Sequence, residues 1–399
     1  MSERGTAGEV LRAALGLGLT SFGGPVAHLG YFEREYVRRR GWLAPEDYAG
    51  LVSLCQLLPG PASSQVSFLI GLRRAGWAGG LAAWAGFTLP SAAAMLAFAE
   101  IAPALRGPAL TSVLHGLRLV AVAVVAQAVL NMARSLCPDR PRAAIGLLAA
   151  VLLLGIGGAG MQMLALALGA GLGMVLCRNI AAAPGVPAMP VAPRAGIAAL
   201  IAYLALLAIL PLAARAAPHS LLDLADVFYR AGALVFGGGH VVLPLLRDAL
   251  VPRGWLSDGS FLAGYGAAQA IPGPLFTFSA YLGAAVAPPG EALGYAATAL
   301  GFMFVPGLLV ALAGLPLWSW FGHHPLARGA LAGVNAAVVG VLGAALYDPI
   351  WVSAIGGGRD VAIALAGFLL LDRWRLPPLV AVAFCVAAAL AVDAAGARP

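Results

Sequence analysis

The chain has 399 residues, of which 61% are hydrophobic and 10% charged, with a mean hydropathy of +0.90. Soluble domains carry about 25% charged residues, so the composition excludes an ordinary soluble protein. The formal net charge of +7 comes from arginine, which stands singly or in short clusters between apolar runs. We interpret most of these arginines as anchors at the cytoplasmic membrane face, and we expect no nucleic-acid partner.

Apolar stretches close to the length of a membrane helix recur along the whole chain. They predict an all-α fold, a polytopic integral membrane protein with about 10–13 membrane segments. The first stretch lacks the order of a cleavable signal and is interpreted as the first membrane segment. In chain order the predicted segments are 8–28, 47–72, 77–101, 109–133, 142–157, 159–177, 195–213, 222–250, 261–287, 291–316, 326–346, 350–371 and 377–396.

The chain contains two homologous halves, because the same landmarks return in the same order. The matching sets are Phe22-Gly23-Gly24 with Phe236-Gly237-Gly238, Arg40-Gly41-Trp42-Leu43 with Arg253-Gly254-Trp255-Leu256, Gln56 and Pro59-Gly60-Pro61 with Gln269 and Pro272-Gly273-Pro274, and Pro90 with Pro306. The predicted domains are a first repeat at 1–177, a proline-rich linker at 178–194 and a second repeat at 195–399. We expect the halves to be inverted relative to each other, as in many secondary transporters.

Four of the predicted segments are interrupted by glycine and proline. A backbone break inside hydrocarbon survives only where protein or a wet cavity surrounds it, and a half-helix that begins after a break points its free N–H groups at the gap. The four breaks therefore predict a binding site for an oxyanion. The alternative is that the glycines permit close helix packing. The predicted ligand-binding positions are Gly23, Gly24, Pro25, Pro59, Gly60, Pro61, Gly237, Gly238, Gly239, Pro272, Gly273 and Pro274.

Polar side chains near the breaks extend this prediction. The candidate ligands are His28, Gln56, Gln65, His240, Gln269 and Thr277, with Ser63, Ser64, Ser279 and Tyr281 beside them. Each histidine can donate to an anion or titrate, although a lone histidine in a helix bundle is more often structural.

Charged residues near the membrane give two further hypotheses. Arg118 falls near the middle of segment 109–133, where a charge is costly, so it is either a cationic ligand or an arginine that reaches the interface. Glu33 and Glu35 are candidates for proton coupling in an antiporter, the alternative being an interfacial ion-pair network with the neighbouring arginines. The scattered cysteines lack CxxC spacing, and we expect no metal and no cofactor.

Four segments resemble the chromate ion transporter family in its long, two-domain form: "FGGPVAHLGYFEREYV", "QLLPGPASSQ", "FGGGHVVLPLL" and "AQAIPGPLFTFSAYLG". The resemblance implies export of chromate across the bacterial cytoplasmic (inner) membrane and chromate resistance, with sulfate as a competitor. Charge and shape do not separate chromate from sulfate, so a sulfate or other oxyanion permease remains the alternative. A homodimer is left open.

Two other function classes fit the sequence less well. An intramembrane enzyme needs a nucleophile with a base or a metal cluster, and the sequence contains no HExxH and no GxSxG with a plausible triad. A channel uses rings of equivalent ligands, whereas the two halves carry different polar residues. We therefore expect a carrier and no enzymatic activity.

Overall fold

A computed structural model describes residues 5–22, 24–101, 108–156, 161–177, 186–187, 189–236 and 239–394. Within these ranges the chain is helical and contains no β-strand, which confirms the all-α prediction. The helices are α1 (Ala7–Thr20), α2 (Gly24–Phe32), α3 (Pro45–Leu57), α4 (Ala62–Ile101), α5 (Pro108–Leu136), α6 (Arg140–Ile156), α7 (Met161–Leu176), α8 (Pro193–Ala216), α9 (Leu221–Leu234), α10 (Val242–Leu250), α11 (Asp258–Ala270), α12 (Phe278–Ala285), α13 (Ala292–His323), α14 (Pro325–Ala345), α15 (Val352–Ala354), α16 (Gly358–Asp372) and α17 (Pro378–Ala394).

Each of the four interrupted segments is two helices. Segment 8–28 is α1 and α2, segment 222–250 is α9 and α10, and the two PGP elements separate α3 from α4 and α11 from α12. Gly60 and Gly273 have φ of +114° and +105°, a region that L-residues with a side chain rarely adopt. The flanking prolines remove two N–H donors from the helical ladder, so a continuous helix cannot form at either place.

Local sequence accounts for several helix ends. Thr6 caps α1 by accepting a hydrogen bond from the Glu9 amide at 3.2 Å, and Ser220 and Ser257 cap α9 and α11 in the same way. Helix α4 contains Ala75 and Gly76 in non-helical conformations, which separates the predicted segments 47–72 and 77–101. Two π-helical segments follow α2 and α14, at Glu33–Arg39 and Leu346–Trp351.

Among the residues that the structure describes, five helical stretches are long and apolar enough to cross a bilayer, which needs about 20 residues. They are Ala62–Ile101, Thr111–Leu136, Pro193–Ala216, Ala292–Trp318 and Pro325–Ala354, and shorter apolar helices occur at Met161–Leu176, Leu275–Ala285 and Pro378–Ala394. The chain is thus a multi-pass membrane protein. The total of 10–13 segments and the inversion of the halves stay predictions, because half-helices on either side of a break can cross together.

The helices form two compact units, and each unit draws on both sequence repeats. Unit 1 comprises Met1–Leu96, Asn179–Val242 and Pro272–Arg328, and unit 2 comprises Ala97–Arg178, Leu243–Ile271 and Gly329–Pro399. Of the predicted linker, residues 178–185 and 188 lie outside the described residues, and Pro193 begins α8.

Within unit 1, helices α8 and α9 pack against α13, as does α12. Two glycines at equivalent positions of the repeats let helix backbones come close together. Gly18 of α1 packs against the backbone of Gly86 in α4, and Gly232 of α9 packs against the backbone of Met303 in α13.

Within unit 2, helix α5 of the first repeat packs against α16 and α17 of the second. Helix α14 of the second repeat likewise contacts α7 of the first, where Gly333 lies against Gly169 and Gly173. The repeats are therefore intertwined in unit 2. The glycines in these contacts belong to no helix break, and they permit close helix packing.

Candidate functional site

The PGP elements and the glycine breaks meet in unit 1 through reciprocal backbone hydrogen bonds. The Gly60 amide of the first repeat donates to the Val235 carbonyl of the second at 2.8 Å, and the Gly273 amide of the second repeat donates to the Ser21 carbonyl of the first at 2.8 Å. Val235 and Ser21 occupy equivalent positions, immediately before the FGG sequences. Each glycine break thus leaves a carbonyl that accepts from the PGP element of the other repeat.

These bonds correct one part of the sequence-based expectation. We expected the main-chain amides of the PGP elements to be free for an anion, but the Gly60 and Gly273 amides are both occupied. The physical reason is that a buried N–H rarely stays unpaired, and the broken helix of the other repeat supplies the acceptor. Gly23, Gly237 and Gly238 lie outside the described residues, as does the side chain of Pro25.

A second reciprocal contact surrounds the two PGP glycines. A Cβ on Gly60 would lie 2.7 Å from the Gly307 Cα, and a Cβ on Gly273 would lie 2.7 Å from the Ser91 Oγ. Gly307 and Ser91 each follow the proline in the middle of a long helix, Pro306 or Pro90. Side chains at the PGP glycines are therefore excluded by packing as well as by backbone conformation.

Gln65 fixes the first PGP turn. Its Nε2 donates to the Pro59 carbonyl and to the Gly307 carbonyl, each at 2.8 Å, which uses both amide hydrogens. Its Oε1 is buried without a hydrogen-bond partner among the described residues. Both amide hydrogens of Gln65 therefore hold the turn in place, and its predicted role as an anion ligand stays a prediction.

Five buried polar residues come from the segments around this turn, and we call them the hydroxyl cluster: Ser21, His28, Ser63, Ser64 and Thr88. The Nδ1 of His28 is 3.4 Å from the Ser63 Oγ. The His28 Nε2 and the hydroxyl oxygens of Ser21, Ser64 and Thr88 are buried without a hydrogen-bond partner in the described part of the chain. An unsatisfied buried polar group costs about 1–3 kcal/mol, so these groups require water or a ligand.

Two members of the hydroxyl cluster, Ser63 and Ser64, lie in the first turn of helix α4. Helix α4 begins at Ala62, directly after the first PGP element, and its first backbone bond runs from the Gln65 amide to the Pro61 carbonyl. The amides of the preceding turn therefore have no acceptor within the helix. Together with the dipole of α4 they favour negative charge at this end.

The remaining predicted polar ligands do not all join this cluster. Gln56 is exposed, and Gln269 belongs to unit 2, where its buried Nε2 has no partner among the described residues. Thr277 is buried, but its Oγ1 donates to the Pro274 carbonyl at 2.8 Å. His240 belongs to a single 3₁₀ turn, Gly239–Val241, and its Nε2 lies 3.9 Å from the position of a Cβ on Gly24.

Arg118 lies in unit 2, whereas the breaks lie in unit 1. It is half-buried on α5, its Nε donates to the Gly259 carbonyl at 3.2 Å, and no carboxylate pairs with it within the described ranges. His115, one turn earlier, is 2.8 Å from the Asp360 Oδ1, so it is paired with α16. A role for Arg118 as an anion ligand stays a prediction.

Glu33 and Glu35 take part in ion pairs of the Glu33–Arg39 segment, which lies beyond the predicted first membrane segment. Glu33 accepts from Arg38 at 2.8 Å, and Glu35 accepts from Arg39 at 3.0 Å and from Arg40 at 2.7 Å. Burial works to raise the pKa of Glu35, but the hydrogen bonds from Arg40 and Arg39 hold that pKa below its ordinary value. Glu35 is therefore ionised at neutral pH in this conformation.

Unit 2 contains a separate cavity of about 300 Å³. Its polar lining includes Gln162, Arg247, Asp248 and Asp348; Gln162 donates to Asp248 at 2.9 Å, and Arg247 also pairs with Asp258 at 2.9 Å. Carboxylates outnumber the single guanidinium, so the charge of this cavity disfavours a dianion.

Four residues around the PGP elements were not predicted from the sequence: Ser21, Thr88, Ser91 and Gly307. The available signal was the proline landmark shared by the repeats, because Thr88 and Ser91 flank Pro90 and Gly307 follows Pro306. A proline inside a membrane helix marks a place where other groups must satisfy the backbone.

Comparison with known proteins gives the chain a family. The model of the family described as chromate transporter matches residues 8–175 and again residues 222–391. The chromate transport protein of Pseudomonas aeruginosa is 29% identical over 370 residues, which cover 90% of this chain and 86% of that protein. The chromate transport protein of Cupriavidus metallidurans is 27% identical over 339 residues, 82% of this chain and 79% of that protein.

Shorter relatives match about one repeat. The uncharacterized transporter YwrA of Bacillus subtilis is 28% identical over 138 residues, which cover 35% of this chain and 75% of that protein. No solved structure shows significant similarity to the chain. The two matches of the family model confirm the duplication and the resemblance inferred from the sequence. The chain belongs to the chromate transporter family, a family of membrane transport proteins, in a form that carries the family sequence twice.

Proposed function

We propose that the chain exports chromate across the bacterial cytoplasmic membrane and thereby confers chromate resistance. The observation that carries the proposal is the double match to the chromate transporter family, which covers most of the chain. Two relatives that align over most of their length are chromate transport proteins. A homodimer stays a prediction.

The chemistry of unit 1 supports an oxyanion as the substrate. Chromate is a tetrahedral dianion with oxygen acceptors and no donor, so it requires several converging donors. The hydroxyl cluster offers unpaired hydroxyls and a histidine nitrogen, and the first turn of α4 offers backbone amides at the positive end of a helix dipole. The acidic cavity of unit 2 does not offer this environment.

A sulfate permease is the second candidate, because sulfate presents the same charge and the same tetrahedral arrangement of acceptors. Nothing in the donor set distinguishes a chromium centre from a sulfur centre. The two functions differ in what the cell gains: an exporter lowers the chromium content of the cell, whereas a permease raises sulfate uptake.

The driving force in this proposal is a proton gradient used by an antiporter, with Glu33 and Glu35 as the candidate proton carriers. The ion pairs of both glutamates and the lowered pKa of Glu35 compete with that role. A proton carrier would have to leave its arginines during the transport cycle.

Cells that lack other chromate exporters provide the test. Cells expressing the chain should grow at higher chromate concentrations and contain less chromium than cells with an empty vector, while radiolabelled sulfate uptake is unchanged. Increased sulfate uptake without a change in chromium content would favour the permease. Unchanged values for both anions, with the protein confirmed in the membrane, would refute the proposal.

A further inference from the structure

The hydroxyl cluster belongs to the first repeat alone, although the surrounding backbone is duplicated. The landmarks that align the repeats place an apolar residue or glycine opposite most polar residues around the cluster. The corresponding pairs are Ser21 and Val235, Ser63 and Phe276, Ser67 and Ala280, Thr88 and Phe304, and Ser91 and Gly307. Ser64, opposite Thr277, is the position where a hydroxyl is kept in both.

The hydroxyls near the second PGP element are already satisfied. The Thr277 Oγ1 donates to the Pro274 carbonyl and the Ser279 Oγ donates to the Phe276 carbonyl, each at 2.8 Å. Phe276 and Phe304 pack edge to face with ring centroids 6.0 Å apart. The equivalent surface of the second repeat is therefore formed by packed aromatic rings, and its hydroxyls donate to nearby backbone carbonyls.

The hydroxyls of the first repeat have the opposite character. Ser63, Ser64 and Ser67 are buried within an arc of about 100° on α4, given 3.6 residues per turn. Ser63 faces His28, whose ring also packs edge to face on Phe87 at 5.2 Å, and Phe87 is adjacent to Thr88. Because the Ser64 and Thr88 hydroxyls have no partner among the described residues, the first repeat keeps donors that the fold itself does not use.

We propose that the hydroxyl cluster of the first repeat is the oxyanion site of the chain, and that the equivalent region of the second repeat has become an apolar packing surface. This inference rests on the proposed function, since it names the site of the same transported anion. The site differs from the one predicted from the four breaks, because it belongs to one repeat. Ser64, Thr88 and Ser21 donate through hydroxyls, His28 donates through Nε2, and no arginine belongs to the cluster.

A neutral set of donors is chemically sufficient for a dianion. Hydrogen bonds to a charged acceptor are about twice as strong as those between neutral groups, and the N-terminal end of α4 adds a fixed positive potential. Binding without a cationic side chain also leaves no strong ion pair to break when the anion must be released. A carrier needs such release in every cycle.

The test measures the KM for chromate flux into vesicles that contain the purified full chain. Ser64→Ala and Thr88→Val each remove one unpartnered hydroxyl, and we expect each to raise KM about tenfold with little change in the maximal rate. The matched control is Ser279→Ala, which removes an equally buried hydroxyl that already has a partner. It should stay within about twofold of the wild type.

The outcomes separate this inference from the proposed function. If the wild type moves sulfate but not chromate, the proposed substrate is wrong, and the same variants measured with sulfate still test the site. If the wild type moves chromate and Ser64→Ala and Thr88→Val match Ser279→Ala, the hydroxyls hold only water and the inference is overturned. If Ser64→Ala fails to insert, two other variants replace it. Ser64→Thr introduces the residue of the second repeat, and Ser64→Cys introduces a weak donor of similar size. An unchanged KM for Ser64→Cys also contradicts the inference.

Discussion

Replacing Gly60 by alanine tests the packing of the first PGP element. Gly60 has φ of +114°, and an added Cβ would lie 2.7 Å from the Gly307 Cα and 2.8 Å from the Gln65 Nε2. The backbone conformation costs an L-residue about 1–3 kcal/mol, and overpacking against backbone atoms costs about 1–3 kcal/mol more. We therefore expect Gly60→Ala to destabilise unit 1 by about 2–6 kcal/mol.

Gly254→Ala is the matched control. Gly254 also has a positive φ, +73°, but no atom lies within 4 Å of its Cβ position. The control should therefore show only the conformational cost, about 1–2 kcal/mol. The difference between the two variants then reports mainly the contacts of the added Cβ with Gly307 and Gln65.

The assay is thermal unfolding of the purified protein in detergent, followed by chromate flux for the folded fraction. A cost of 1 kcal/mol lowers the midpoint by about 2–4 °C for a domain of this size, so Gly60→Ala should unfold several degrees below Gly254→Ala. Flux should also fall, because the Gly60 amide could no longer reach Val235 without a shift of α4. Equal midpoints and normal flux for both variants would refute the packing argument.

The remaining predictions concern the second PGP element and Glu35. Gly273→Ala should also be destabilising, but its nearest contact is the Ser91 side chain, so Ser91→Gly should restore much of its thermal stability; no recovery in the double variant would contradict the contact. Glu35→Gln should lower the free energy of unfolding at neutral pH. The difference from the wild type should disappear as the pH falls below about 4, because a carboxylate with a lowered pKa stabilises the fold only while ionised. A difference that is constant with pH would contradict the ion-pair assignment. Loss of stimulation of export by a pH gradient in Glu35→Gln would support proton coupling, and full stimulation would count against it.

The helix breaks could be predicted from the sequence because local chemistry decides them. A glycine between two prolines lacks the donors and the backbone conformation for a continuous helix, whatever lies nearby. The family could be inferred for a similar reason, since these breaks occur in recognisable segments of both repeats. The family matches at 8–175 and 222–391 confirm that inference.

The hydrogen-bond partners of the backbone groups at the helix breaks could not be predicted from the sequence. The sequence shows that Gly60 leaves the helix, but not that its amide reaches Val235 in the other repeat. That pairing depends on how the repeats intertwine, which a repeat pattern does not encode. Gln56 illustrates the same limit: its spacing from the PGP element suggested a ligand, but the structure places it on an exposed face of α3.

The hydroxyl cluster was partly visible in the sequence. Ser63 and Ser64 follow the first PGP element directly, whereas Thr88 comes from a distant part of α4 and Ser21 from the end of α1. A helical turn brings successive residues of one segment together, but only the tertiary fold joins separate segments. Coordinates are also needed to tell whether a hydroxyl bonds a nearby backbone carbonyl, as that of Ser279 does, or has no partner among the described residues, as that of Ser64 does.

The most direct test of the account is chromate flux into sealed vesicles that contain only the purified chain and lipid. The account predicts saturable chromate entry that sulfate inhibits competitively and that protein-free vesicles do not show. Chromate entry equal to that of protein-free vesicles, with the chain folded and inserted, would contradict it.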